Sequence, residues 1–132
     1  MDKSDCIFCK ISAGELEAHK VYEDDDVVAI LDINPVNPGH TLVIPKEHTE
    51  YFEEMGGERY QHVMNLVQRI ARAIKKTYNP PRVGLLVWGF EVPHTHVHVV
   101  PLKEPGDFSI KRMAKPNNED LEKVVSELSP NV

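Results

Sequence analysis

Apolar and polar positions along this chain divide it into short strand-like runs around one long helix. After Gly57, apolar side chains return at Val63, Leu66, Val67, Ile70, Ala73 and Ile74. Spacings of three, four and seven residues place these on one buried stripe of an α-helix. Asn79-Pro80-Pro81 stops that helix, since proline lacks the amide hydrogen a helix needs. Strands are expected at 19–23, 27–31, 41–45, 83–88 and 95–100, with Asp24-Asp25-Asp26 turning the first pair into a hairpin. The run 41–45 is mostly apolar and so belongs in the middle of a sheet. Residues 32–39 are dense in Asn, Pro and Gly and form a rigid loop. A short helical turn follows residue 7 and ends near Gly14, and another turn is expected at 50–55. After Pro101 the periodicity fades, and only 119–128 reads as a further helix. The pattern predicts one α+β domain over 1–132, with a core at about 5–101 and a partly helical tail at 102–132. Its sheet is antiparallel, and the long helix packs across one face.

One run stands apart chemically. In His94-Thr95-His96-Val97-His98-Val99-Val100, three imidazoles alternate with Thr or Val. Strand side chains alternate between faces, so the histidines share one face while Thr95, Val97 and Val99 enter a core on the other. Imidazole suits acid–base work near neutral pH and is also a common metal ligand.

Composition narrows the function classes. The net charge is −6 and no basic run is present, which argues against duplex nucleic acid as a partner. A small anionic substrate stays compatible, because a few local donors can outweigh net charge. The longest apolar runs, such as 83–87, are far too short to span a bilayer. No secretory signal opens the chain, so a cytoplasmic setting is expected. There a disulfide between the two cysteines, Cys6 and Cys9, is not expected. Their Cys-x-x-Cys spacing reads as half of a zinc knuckle that needs two more ligands. Candidates are His19, His40, His48, His62 and the three alternating histidines, and residue types do not choose among them. The Asp24–Asp26 turn lacks the Gly and later Glu of an EF-hand loop, so it reads as a solvated turn.

A neutral imidazole can attack phosphorus and form a covalent intermediate that water then hydrolyses. His96, in the middle of the row, has neighbours that orient it and contact phosphate. Asp32 ends a strand beside Ile33, and a carboxylate there can accept from both hydroxyls of a ribose. Read alone, Asp32 is more often a helix cap or turn former than a ribose ligand, and His40 is equally a loop histidine capping its own turn.

Four ordered blocks carry a resemblance: Cys-Ile-Phe-Cys-Lys-Ile from Cys6, Leu-Asp-Ile-Asn-Pro from Leu31, Gly-His-Thr-Leu-Val-Ile-Pro-Lys-Glu-His from Gly39, and the alternating histidines. Over residues 5–101 the chain resembles the histidine triad (HIT) family of nucleotide hydrolases and transferases, in its bacterial zinc-containing branch. That resemblance implies a HIT-like fold with a five-stranded antiparallel sheet, one long helix and a short N-terminal helix. It implies structural zinc on Cys6, Cys9, His48 and His94, a nucleophile at His96, and phosphate contacts from His98 and His40. Asp32 and Ile33 correspond to the ribose-binding pair, and Phe8 and Ile11 to base-pocket residues. A homodimer formed by extending the sheet across two subunits is implied as well. The expected activity is cleavage of a purine nucleoside 5′-monophosphate (AMP or GMP) from an amine or phosphate leaving group, as in a nucleoside phosphoramidase.

One segment departs from the family pattern. Many members carry an Asn and then a Gly-Gln-Ser/Thr/Val run before the triad, where this chain has Val87-Trp88-Gly89-Phe90-Glu91-Val92-Pro93. An ionised Glu91 would repel phosphate, so backbone amides near Gly89 are the expected phosphate contact. The departure keeps a dinucleoside polyphosphate hydrolase and a nucleotide-binding sensor without catalysis open, and the alternating histidines leave a third alternative, a catalytic zinc held by His94, His96 and His98.

Overall fold

A computed structural model describes residues 3–113 and 119–132. The elements follow the hydrophobic pattern closely. Helix α1 spans Ile7–Ser12, and strands β1 (Lys20–Glu23) and β2 (Val27–Leu31) form the expected hairpin. Strand β3 (Thr41–Pro45) and helix α2 (Gly57–Tyr78) come next, then strands β4 (Arg82–Val87) and β5 (Val97–Leu102). Two short helices close the chain, α3 (Ile110–Met113) and α4 (Leu121–Leu128). The turn expected at 50–55 is a 3-10 turn at Phe52–Glu54. All strand pairs are antiparallel, in the order β1-β2-β3-β5-β4.

The alternation of β2 explains the layers. Val27, Ala29 and Leu31 face the stripe of α2, whereas Val28 and Ile30 face the α1 side with Phe8 and Ile11. Every residue of β2 and β3 is therefore buried, as strands covered on both faces should be. Helix α2 ends where its Asn79 enters the left-handed region at φ 50 and returns its amide to the Lys75 carbonyl.

Two expectations need correction. The fifth strand begins at Val97, two residues later than its composition predicts. The last pairs on either side are Val43 with Val97 and Val87 with Val97, so residues 94–96 have no ladder partner. Thr95 anchors them instead, its amide and hydroxyl both donating to the Thr49 carbonyl at 2.7 Å. The core also does not stop near residue 101. Val124 and Leu128 of α4 are buried in the α2 layer, Leu128 completely. An eight-residue helix with two buried positions carries too little periodicity to be read as core.

Candidate active site and metal cluster

The unladdered histidines lead in two directions. His94 is fully buried, and its Nε2 lies 2.7 Å from the Pro45 carbonyl. A carbonyl only accepts, so Nε2 carries the hydrogen and Nδ1 keeps a lone pair. That Nδ1 sits 3.3 Å from Cys6 Sγ, 3.5 Å from Cys9 Sγ and 3.1 Å from His48 Nδ1. Cys9 Sγ is 3.3 Å from His48 Nδ1, and all four ligand atoms lie within 4.8 Å of one another. A tetrahedral zinc, with bonds of about 2.3 Å to sulfur and about 2.0 Å to nitrogen, separates its ligands by roughly 3.3–3.7 Å. The donor set fits that ion in type, number and spacing. Four protein ligands leave no open position, which marks a structural rather than a catalytic site. The N-terminal segment brings both cysteines, the residues after β3 bring His48, and the approach to β5 brings His94.

His96 turns the other way, into a cavity of about 950 Å³. Its Nδ1 is 2.7 Å from the His94 carbonyl, so it donates there and leaves the Nε2 lone pair unprotonated. Burial is the largest influence on its pKa and lowers it, against a smaller upward pull from that hydrogen bond. His98 follows at 5.1 Å between ring centroids. Burial pushes the His98 imidazole down to about 3 and that of His40 to about 4. Both are neutral at pH 7. His40 Nε2 lies 3.0 Å from His98 Nδ1 and 3.5 Å from Asp32 Oδ2.

The cavity brings together Phe8, Ile11, Asp32, Ile33, His96 and His98 from the set marked out by sequence. Phe8 meets His96 edge-on at 4.9 Å between centroids, bridging the apolar and imidazole parts of the wall. Ile33 is 72% exposed at the rim of the cavity. Two sequence candidates are placed differently. His40 is buried behind His98 and does not line the cavity. Gly89, at φ +76, supplies a left-handed turn, while its neighbours Trp88, Glu91 and Val92 line the wall. Trp88 stacks edge-on with Phe90 at 5.3 Å, and Phe90 is 84% exposed.

Sequence reasoning passed over other wall residues, among them Ile7, Leu16, His19, Lys20 and Leu42. Leu42 is an alternating position of β3, Ile7 and Lys20 open α1 and β1, and Leu16 and His19 lie in the α1–β1 connection, which has no periodic signal. His94, His96 and His98 do not converge on one point, because His94 faces the cysteines and His98 pairs with His40. That geometry argues against the shared catalytic zinc. His62 pairs with Asp24 at 2.9 Å, and Asp24 also caps the Asp26 and Val27 amides, so the acidic turn is satisfied internally.

Comparison with known proteins places the chain in a class. Residues 13–105 match the HIT domain, and the chain belongs to that family. It is 42% identical over 127 residues to an uncharacterized HIT-like protein of Methanocaldococcus jannaschii, covering 93% of this chain and 98% of the other. It is 36% identical over 131 residues to Adenylylsulfatase HINT3 of Arabidopsis thaliana, covering 96% of this chain and 66% of that protein. Among solved structures, it resembles a zinc-bound histidine triad family protein of Mycobacterium smegmatis, with a TM-score of 0.81, 32% identity and coverage of 98% and 94%. Among the described residues, no helix is long and apolar enough to cross a membrane.

Proposed function

We propose that this protein is a nucleotide hydrolase that transfers a purine nucleoside 5′-monophosphate to His96 and then to water. The carrying observation is the His96 tautomer: Nδ1 donates to the His94 carbonyl at 2.7 Å, so the Nε2 lone pair is available at neutral pH. Nε2 attacks phosphorus, and the bond from phosphorus to the leaving amine or oxygen breaks, its electron pair departing with the leaving group, which takes up a proton. Water then attacks the phosphorus, the P–Nε2 bond breaks, and free nucleotide leaves with His96 restored. Asp32 and Ile33 receive the ribose, Phe8 and Ile11 the base, and His98 donates to phosphate oxygen. A relative named as an adenylylsulfatase supports an adenylyl group as the part transferred.

Zinc on Cys6, Cys9, His48 and His94 would tie the N-terminal helix to the sheet, and the zinc-bound relative supports that reading. A homodimer is supported by β4, an edge strand that exposes Leu85 at 47% and Val87 at 38% beside Phe52 and Tyr60. A cytoplasmic setting fits the reduced thiols that such a zinc site needs.

The test is AMP release from an adenosine 5′-phosphoramidate, comparing wild type with His96→Asn. Release by wild type and a loss of several orders of magnitude in the variant are expected. A second reading, nucleotide binding without turnover, draws on Glu91 standing at the cavity wall in a segment, 87–93, that contains no Asn, Gln or Ser. AMP binding without release by wild type would favour it. Release of two nucleotides from a dinucleoside polyphosphate, but none from the phosphoramidate, would point to that substrate instead.

A further inference from the structure

The pair His40–His98 has its protons assigned by one backbone amide. Val36 N–H lies 3.1 Å from His40 Nδ1, and an amide only donates, so Nδ1 accepts. A neutral His40 therefore carries its hydrogen on Nε2, the atom 3.0 Å from His98 Nδ1. His98 Nδ1 must accept in turn, which puts the His98 hydrogen on Nε2. Both imidazoles thus depend on where the Val36 amide points.

Val36 is held from outside its own loop. The Arg112 guanidinium, on α3, donates to the Val36 carbonyl. The next residue is tied to the same region: Asn37 Nδ2 donates to the Pro101 carbonyl and to Asp107 Oδ2, each at 2.9 Å. Asp107 is fixed in turn by the Lys103 amide at 2.9 Å. Burial alone would raise the Asp107 pKa, but these donors pull it below the usual carboxylate range and keep it an acceptor. The loop that aims the amide is therefore clamped at two consecutive residues by the chain beyond β5.

We infer that Arg112 is a positioning residue that, by clamping the Val36 segment, sets which nitrogens of His40 and His98 carry protons. The consequence at phosphate rests on the proposed nucleotidyl transfer, whereas the tautomers do not. With Nε2–H on His98, the site offers a bound phosphate a hydrogen-bond donor without placing a cation there. Loss of the clamp lets His40 reverse, so that His98 Nε2 becomes an acceptor and faces phosphate with a lone pair. The same assignment bears on Asp32, His40 and His98, whose ligand atoms converge within 4.8 Å as if for a cation. A protonated Nε2 on His40 gives that group no lone pair to offer, so it serves to pass hydrogen bonds.

The experiment uses the full chain loaded with zinc and reads imidazole nitrogen shifts by NMR alongside AMP release. Wild type should show Nε2–H on both His40 and His98. Arg112→Met should mix the tautomers of both and lower kcat about tenfold with KM little changed, and Arg112→Lys should restore part of each. Asp107→Asn, which weakens the second tie, should shift the same resonances in the same direction. Unchanged tautomers in Arg112→Met overturn the inference, whether kcat stays or falls. Wild-type tautomers as stated, and mixing in the variant, with no nucleotide release from phosphoramidate or dinucleoside polyphosphate by either protein, would support the clamp while removing the nucleotidyl-transfer reading.

Discussion

The His94 imidazole donates to the carbonyl of Pro45 at 2.7 Å, so the last residue of β3 fixes a side chain 49 positions away. That contact turns the Nδ1 lone pair of His94 toward Cys6, Cys9 and His48 before any ion arrives, as an outer partner of a metal-bound histidine usually does. One zinc per chain is expected by elemental analysis of protein purified under reducing conditions. Cys6→Ser or Cys9→Ser should weaken zinc binding by two orders of magnitude or more and lower Tm, since metal affinity is coupled to folding. His96→Asn should keep its zinc, because His96 faces the cavity. Loss of zinc in His96→Asn would mean that the two sites are not separate.

Buried neutral imidazoles make stability depend on pH. The folded values of about 4 for His40 and about 3 for His98 lie below the ordinary value of 6.5, burial being the larger cause in both. Above pH 6.5 neither the folded nor the unfolded chain protonates these groups, and their contribution is complete. From pH 6.5 down to about 4 the unfolded chain binds protons that the folded one does not, so stability falls as pH falls. Urea denaturation at several pH values between 7.5 and 5 should show a shallower dependence in a His40→Asn/His98→Asn double variant than in wild type. Zinc ligation contributes equally to both proteins and cancels. Equal slopes would show that the two imidazoles titrate as exposed groups do.

The strands and long helix were legible because each buries one regular face. Val27–Leu31 reads as a strand covered on both sides, and the stripe of α2 appears residue for residue in the core. The cysteines and histidines were legible as chemistry, but their grouping was not. Cys6 and His94 are 88 positions apart, and only the sheet order brings them together. Strand β5 starts two residues later than its alternation predicts, because alternation records which way side chains point, while a ladder also needs a partner strand. The ties from Asn37 to Asp107 and from Arg112 to Val36 left no trace. They are single polar contacts between irregular segments, where no periodicity exists to read.

The C-terminal region is expected to contribute to global stability, because Leu128 is completely buried in the same core cluster as Ile74 of α2 and Val21 of β1. Leu128→Ala should cost about 3 kcal/mol in equilibrium unfolding, the usual result of a cavity in a packed core. A side chain at Gly84 would overlap the Phe108 ring and come within 2.9 Å of Leu102 Cδ1. Gly84→Ala should therefore destabilise by about 1–3 kcal/mol through overpacking. A neutral result for both variants would mean that the segment after β5 rests on the sheet without supporting it.

Glu91 stands in the cavity wall near His96, and its charge makes a directional prediction. It lines the cavity wall with Trp88 and Val92, and its carboxylate acts on His96 to favour the imidazolium form. A nucleotide phosphate brought to His96 meets the same carboxylate with the opposite consequence, a repulsion between like charges. Because Glu91 is exposed, water and salt screen that repulsion. Glu91→Gln should tighten AMP binding about two- to fivefold at low ionic strength, in line with a like-charge contact across a hydrated cavity. The gain should shrink toward nothing as salt is raised to roughly 0.5 M. Calorimetric titration with AMP reads this effect directly, since AMP is the product of the proposed reaction and is not consumed. An affinity that does not change, or a gain that persists at high salt, would mean that the carboxylate points away from bound phosphate and that Trp88 dominates that wall.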